Sequence, residues 1–364
     1  MVLARLSKPQ IPSPYPVPDV AFAIPGDLQS PTGGYAYDRR VLGLLASYGI
    51  NATHVELPGS YPAPSAHDLD DTERLIAAAP PHAKLLIDGL AYGAMPAELI
   101  DRLGRRIIAL VHHPLALEAG LSDSQKSALV DSEKAALARA LRDIVTSRST
   151  ADSLTADYGV PKARITVAEP GTNPALRATG TGTPMQLLAV GAVSARKAYD
   201  VLVAALEPLA DLDWRLTIAG ATDRNAETVT ALRERIAASP ISERITLAGA
   251  VVPATLERFY ASADLFVSPS LYEGYGMVLA EAMARGLPIV CTTGGAAAET
   301  VPDAAALKAA PGNVEELTAA LRQALTHRKQ RRAMADAAWD AGRQLPTWEE
   351  TARRIAAAIL EIKA

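Results

Sequence analysis

The chain has 364 residues, 49% of them hydrophobic and 21% charged. At roughly 150 residues per domain this length implies two domains with sizeable cores, and the composition excludes intrinsic disorder. Basic and acidic residues number 17 and 19 up to Arg177 and 19 and 21 beyond it, for a net charge of −4. Neither half is a basic module, which argues against nucleic acid as the main partner.

The single cysteine, Cys291, cannot form an internal disulfide, which fits a reducing compartment. The opening stretch MVLARLSKPQIPSPYPVPDV lacks the apolar core of a signal peptide. Nowhere do about 18 apolar residues run uninterrupted, the length a membrane span needs. A cytoplasmic protein is therefore expected, with peripheral contact to a membrane left open and the oligomeric state undefined.

Apolar runs bounded by turn residues predict strands at Val20–Ile24, Lys84–Ile87, Ile107–Val111, Ile144–Thr146 and Ile165–Ala168. Amphipathic stretches predict helices at Ser124–Leu141 and Ala151–Tyr158 among them. Next comes Arg177-Ala-Thr-Gly-Thr-Gly-Thr-Pro184, without large apolar residues, which reads as a linker over 178–184 between domains spanning 1–177 and 185–345. Beyond it the alternation is plainer. Strands are expected at Gln186–Val190, Arg215–Ala219, Arg244–Leu247, Leu265–Val267 and Ile289–Cys291. Helices are expected at Tyr199–Leu209, Ala226–Ala238, Ala254–Ala261, Met277–Arg285 and Val314–His327. The pattern predicts an α/β protein of two doubly wound, Rossmann-like domains, whose carboxyl-end crevices face each other across a cleft. From Trp348 to Ile362 the periodicity is again helical, with Thr347 as N-cap, and by itself this reads as a surface helix of the second domain.

The most informative segment, Ser268–Pro288, reads SPSLYEGYGMVLAEAMARGLP. A strand ends near Pro269, a loop carries Glu273, and a helix begins near Gly276 or Met277. The first amides of that helix lack intrahelical partners and carry the positive end of its dipole. The turn Gly274-Tyr275-Gly276-Met277 would let a phosphate approach them closely. Glu281, about one turn inside the helix, could reach past the phosphates to sugar hydroxyls. The bland alternative makes both glutamates ordinary helix-start charges.

The whole constellation resembles the signature of family 4 retaining glycosyltransferases, which have the GT-B fold. Glu273 and Glu281 stand eight residues apart, and the flanking glycines, small residues and closing Gly286-Leu-Pro288 fall in the family's order. Other segments extend the resemblance. Thr32-Gly33-Gly34-Tyr35 is similar to the family's glycine-rich loop after the first strand, which suits the diphosphate or the transferring sugar. In the family a histidine at the end of the strand corresponding to Ile107–Val111 contacts the donor sugar. Here His112-His113-Pro114 offers two, with His113 favoured slightly because Pro114 fixes its backbone. Val190–Lys197 is similar to the phosphate loop opening the second domain: Lys197 stands at the family's lysine, Ala192 replaces an arginine, Ala198 replaces a glycine, and Arg196 is the substitute cation. Glu169-Pro-Gly-Thr-Asn173 departs from the family's Asn-Gly-Val-Asp. Thr293-Gly294-Gly295 with Glu299 implies a secondary contact or a cap. The stretch Leu345–Thr351 resembles the point where the family's last helix, here 346–364, crosses back onto the first domain.

The resemblance implies a retaining transfer of a hexose from a nucleotide diphosphate sugar to a hydroxyl acceptor, which could be a lipid, a saccharide or a small metabolite. A UDP-sugar is favoured, and neither metal nor cofactor is required. His113, His112 and Glu273 are the candidate catalytic residues. Gly33, Gly34, Arg196, Lys197, Gly274, Tyr275, Gly276, Met277 and Glu281 are the candidate donor-binding residues. The alternatives are a nucleotide-sugar epimerase or hydrolase of the same fold, and a catalytically silent sugar-nucleotide-binding protein. Three further signals read as surface charge: the Asp-x-Asp pairs Asp68/Asp70 and Asp211/Asp213, the basic run Arg328–Arg332, and the cluster Arg102, Arg105 and Arg106.

Overall fold

The computed structural model describes residues 19–223 and 225–362, so residues 1–18 of the opening stretch weighed above as a leader lie outside the described residues. Its first half contains β1 (Asp19–Pro25), α1 (Gly33–Leu45), β2 (Asn51–Leu57), α2 (Ala66–Ala77), β3 (Lys84–Asp88) and α3 (Gly89–Tyr92). There follow α4 (Ala97–Leu103), β4 (Ile107–Val111), α5 (Asp123–Leu137), β5 (Arg142–Val145), α6 (Arg148–Ala156) and β6 (Ile165–Val167). The second half has β7 (Met185–Val190), α7 (Tyr199–Leu206), β8 (Trp214–Ala219), α8 (Ala226–Ala237), β9 (Ile245–Gly249) and α9 (Pro253–Ser262). It continues with β10 (Leu265–Ser268), α10 (Met277–Ala284), β11 (Ile289–Thr292), α11 (Ala297–Thr300), β12 (Ala306–Ala309), α12 (Val314–Thr326) and α13 (Arg328–Gly342). The chain closes with α14 (Trp348–Glu361).

Two parallel six-stranded sheets result, ordered β2-β1-β3-β4-β5-β6 and β12-β11-β10-β7-β8-β9. Strands β3, β4 and β10 are buried throughout, as expected of parallel strands with both faces covered. The strand order reverses between β1 and β3 in one sheet and between β7 and β10 in the other. Crevices outside the carboxyl ends open at such reversals, and ligands bind there.

The predicted elements recur with shifts that have local causes. The helix predicted over Tyr199–Leu209 stops at Leu206, and Glu207–Leu209 forms a 3-10 turn, because Pro208 has no amide to donate. The helix predicted to Leu141 ends at Leu137, and the Leu141 amide instead bonds the Ile107 carbonyl as the chain enters β5. Edge strands β2 and β12 had no counterpart in the predicted elements. β2 carries Asn51, Thr53, His54 and Glu56, and β12 is a four-residue run of two alanines, Leu307 and Lys308.

The linker is not loose. Asp264, just before β10, accepts hydrogen bonds from the amides of Gly182 (3.1 Å) and Gln186 (2.9 Å). The Ala178 amide bonds the Arg285 carbonyl at 2.8 Å, so this segment travels with the second sheet.

The last helix belongs to the first core, not to the surface of the second domain as its periodicity alone implied. Trp348, Ile355, Ala356, Ala358 and Ile359 of α14 pack with Phe22, Tyr37, Leu86 and Ile144. Thr347 caps α14 in a reciprocal box with Glu350. Gly171 abuts the backbone of Thr347 and Trp348 so closely that a Cβ there would overlap it. Gly171→Ala should therefore displace the start of α14 and cost about 1–3 kcal/mol, the usual range for overpacking. Denaturant unfolding checks the loss, and limited proteolysis should show new cleavage between Leu345 and Trp348. No helix among the described residues is long and apolar enough to cross a membrane.

Candidate active site

The loops that follow β7 and β10 meet at the reversal point of the second sheet. After β7 the chain makes a 3-10 turn at Ala195–Lys197, and Ala198 then takes a left-handed conformation, φ 46°, to start α7. This backbone is why a glycine suits position 198, and an alanine there costs about 1–2 kcal/mol. The turn delivers Lys197 and Arg196 to Glu273, which is 5% exposed. Lys197 Nζ lies 2.6 Å from Glu273 Oε1, which also accepts from Ser270 Oγ at 2.6 Å. Arg196 donates to the Tyr272 carbonyl at 2.7 Å and stands 3.4 Å from Glu273 Oε2. Burial opposes the charge on Glu273, yet Lys197 and Arg196 outweigh it and hold the carboxyl at about 2. The loop is braced from behind by Gly294 and Gly295: the Glu273 amide bonds the Gly294 carbonyl at 3.1 Å, and Ala296 bonds back to the Glu273 carbonyl at 2.8 Å.

Gly276, φ 90°, caps α10, whose first turn has no acidic side chain. Glu281 sits apart from this cluster. Its Oε2 accepts from Tyr260 Oη at 2.8 Å, and burial raises its pKa. Arg285, one turn on, lies 4.3 Å over the Tyr260 ring and pairs with Glu257.

Opposite stands the first sheet's reversal point. His112 follows β4, and its Nε2 lies 3.1 Å from Asp38 of α1 and 3.3 Å from Asp88 at the end of β3. Burial disfavours the imidazolium, but the two carboxylates outweigh it and lift its pKa to about 10. Asp38 is fully buried, one of its oxygens has no hydrogen-bond partner, and burial raises its pKa to about 7. The three residues present ligand atoms within 4.8 Å of one another, a set that could also hold a small divalent cation. The His112 ring faces Gly34 of the glycine pair and meets Tyr37 edge-on at 5.3 Å.

His113 turns the other way. Its Nε2 is 3.1 Å from Glu118, whose second oxygen is 3.2 Å from Arg196 Nε. Glu118 thus spans the cleft; burial works against its charge, but His113 and Arg196 hold it at about 2. Three further contacts join the halves. Met277 packs against the first core beside Gly33, Glu299 accepts from the Ser149 amide at 3.0 Å, and Gly274 lies against the His112 carbonyl.

A Cβ at Gly274 would collide with that carbonyl, which Thr146 Oγ1 holds at 2.9 Å. Gly274→Ala should keep both domains folded and push them apart. A shift near 1 Å at a reacting centre can cost about 10²-fold in rate. Small-angle scattering should show a larger radius of gyration, and turnover should fall.

The structure therefore brings Arg196, Lys197, Glu273, Gly274 and Met277 against Gly33, Gly34, His112 and His113, with Tyr275 buried behind them. Asp38, Asp88 and Glu118 had no place among the sequence-based candidates. Of the Asp-x-Asp pairs, Asp68 closes a capping box on Ser65, and Asp211 pairs with Arg322 at 3.1 Å.

Residues 184–327 match the family model described as glycosyl transferases group 1. The match runs from β7 through α12 and makes the second domain similar to the group 1 glycosyltransferases. Proteins that the chain resembles include mannosylfructose-phosphate synthase of Agrobacterium fabrum, with 27% identity over 59% of this chain and 52% of that protein. The chain thus spans about half the length of that curated relative. Sucrose-phosphate synthase of Thermosynechococcus elongatus superposes with a TM-score of 0.79 at 20% identity, over 94% of this chain and 98% of that one. HepE of Anabaena in complex with UDP-glucose superposes with a TM-score of 0.74 at 16% identity, over 94% of this chain and 100% of that one. The architecture is the GT-B fold.

Proposed function

We propose that this chain is a retaining hexosyltransferase that works without a metal, taking its sugar from a nucleotide diphosphate donor and passing it to a hydroxyl acceptor. The observation that carries the reading is the Arg196–Lys197–Glu273 cluster at one reversal point, held opposite the histidines at the other. Arg196 and Lys197 neutralise the departing diphosphate, aided by the free amides at the start of α10. His112, kept cationic between two carboxylates beside the Gly33-Gly34 turn, contacts the transferring sugar. Glu273 orients the two cations and accepts from the donor sugar hydroxyls, and Glu281 binds the ribose. No protein nucleophile takes part: the leaving phosphate accepts the proton of the incoming hydroxyl on the face it vacates. A uridine nucleotide is favoured, in line with the UDP-glucose held by HepE.

Calorimetric titration with UDP in a chelating buffer, paired with detection of glycosylated product, tests the assignment. Glu281→Gln weakens charge-assisted bonds of about 1.5–3 kcal/mol and should lower UDP affinity by about tenfold or more. Glu273→Gln should keep that affinity within a few-fold while turnover falls. The reverse pattern would exchange the two roles. Activity that vanishes in the chelator and returns with Mn²⁺ would hand the Asp38–Asp88–His112 cluster to a metal.

A further inference from the structure

At the end of the second sheet away from Lys197, a cavity of about 390 Å³ opens between the linker, the amino ends of β10 and β11, and α13. Its polar wall consists of Arg177, Arg328, Arg331, Arg332, Asp264 and Asp336. Both acids are already engaged. Asp264 accepts from the linker amides described above, and Asp336 pairs with Arg177. Arg331 donates to the carbonyls of Ala324 (2.6 Å) and Leu325 (3.2 Å) and forms no ion pair among the described residues, although the Asp264 carboxylate acts on it from across the cavity. Arg328 and Arg332 are exposed and form no hydrogen bond or ion pair among the described residues.

Positions 328, 331, 332 and 335 share one face of α13, so three guanidinium groups line a cavity in which, among the described residues, Asp264 is the one carboxylate without a cationic partner of its own. Like charges three and four residues apart on a helix repel, and a bound anion removes that repulsion. The planar guanidinium fork matches phosphate oxygens two at a time.

We propose that this cavity binds the phosphate group of a phosphomonoester, at a site separate from the donor cleft. The cavity touches the residues that precede β10 and β11, whereas Lys197 and Glu273 lie beyond the carboxyl ends of the strands. Four residues of strand, roughly 13 Å, separate the two levels, too far for one phosphate to serve both. The linker forms part of the wall, so an occupant would tie it to α13.

The test is calorimetric titration of the full chain with inorganic phosphate at constant ionic strength. The comparison is with Lys197→Ala, which disables the donor cleft, and with the double variant Arg328→Ala/Arg332→Ala, whose exposed side chains carry no packing. Phosphate affinity should survive in Lys197→Ala and fall at least tenfold in the double variant. UDP affinity of the double variant should be unchanged. Loss of phosphate binding in Lys197→Ala alone, or no phosphate binding by the wild-type chain, would overturn the proposal. Sedimentation with phosphatidylcholine vesicles, with and without phosphatidic acid, separates the sources of the phosphate. Retention on the acidic vesicles that needs Arg328 and Arg332 assigns it to a lipid headgroup, and phosphate binding without retention assigns it to a soluble phosphomonoester.

Discussion

Replacing Lys197 by Ala is expected to lower turnover on the order of 10²-fold, the loss typical of removing one preorganised group that stabilises developing charge. The ammonium reaches Glu273 at 2.6 Å in a site where both side chains are largely buried, so its removal also leaves a carboxylate short of its nearer cation. Breaking a buried pair from one side costs about 3–5 kcal/mol, and Arg196, still 3.4 Å away, should keep the loss near the lower figure. Adding Glu273→Gln to Lys197→Ala should recover stability, because the uncompensated charge is gone, and should not recover turnover. Denaturant unfolding and single-turnover transfer assays on the single and double variants separate the two effects. Equal stability of the two variants would mean that the pair is not a unit.

Replacing His112 by Ala should destabilise the first domain by a similar amount, about 3–5 kcal/mol near neutral pH, since Asp38 and Asp88 would face each other without a cation. The pH dependence has a defined sign. In the native chain the folded pKa of His112, about 10, is raised above its unfolded value of about 6.5. Its stabilisation is therefore complete below about pH 6.5 and is lost as pH rises toward 10. In the variant Asp38, whose pKa burial already raises to about 7, loses the cation that opposed the rise, so stability should already fall between pH 5 and pH 7. Unfolding measured at pH 5 and pH 8 should accordingly show a larger gap between variant and native chain at neutral to mildly alkaline pH than at pH 5. His113→Ala should change stability little, because Glu118 is half-exposed and keeps Arg196.

The fold was legible wherever a buried strand makes a continuous apolar run, as in Ile107–Val111 and Leu265–Val267. It was least legible at the edges: β2 alternates toward solvent with His54 and Glu56 and so presents no apolar run. For the last helix the sequence showed a cap and a period but not which core would receive them. Only packing against Tyr37 and Phe22 decides that. In the candidate site, Arg196, Lys197 and Glu273 could be found because their segments are similar to a family's motifs in the loops that follow strands. Asp38 and Asp88 lie 74 and 24 residues from His112, on α1 and at the end of β3, and no spacing links them. The one available signal was positional, an acid closing the strand that ends at Asp88. Glu118 lies only five residues from His113, but its role depends on Arg196, which the other domain supplies.

That bridging carboxylate bears on how a turnover cycle ends. In the proposed reaction the departing nucleoside diphosphate vacates a guanidinium that is mostly shielded from water. With only the Glu273 carboxylate 3.4 Å away, which Lys197 shares, that cation would pull the product back, and escape is a common bottleneck for enzymes that close around their ligands. Glu118, 3.2 Å from Arg196 Nε, would meet that difficulty in the proposed reaction: as the anion leaves, a tethered anion from the facing domain is at hand to take its seat on Arg196. The cleft exchanges one negative partner for another, and its charge balance near Arg196 is the same at the start and the finish of each round. Shortening this side chain with Glu118→Asp should then slow departure while leaving the bond-making step alone, a signature that pre-steady-state bursts of product would make visible.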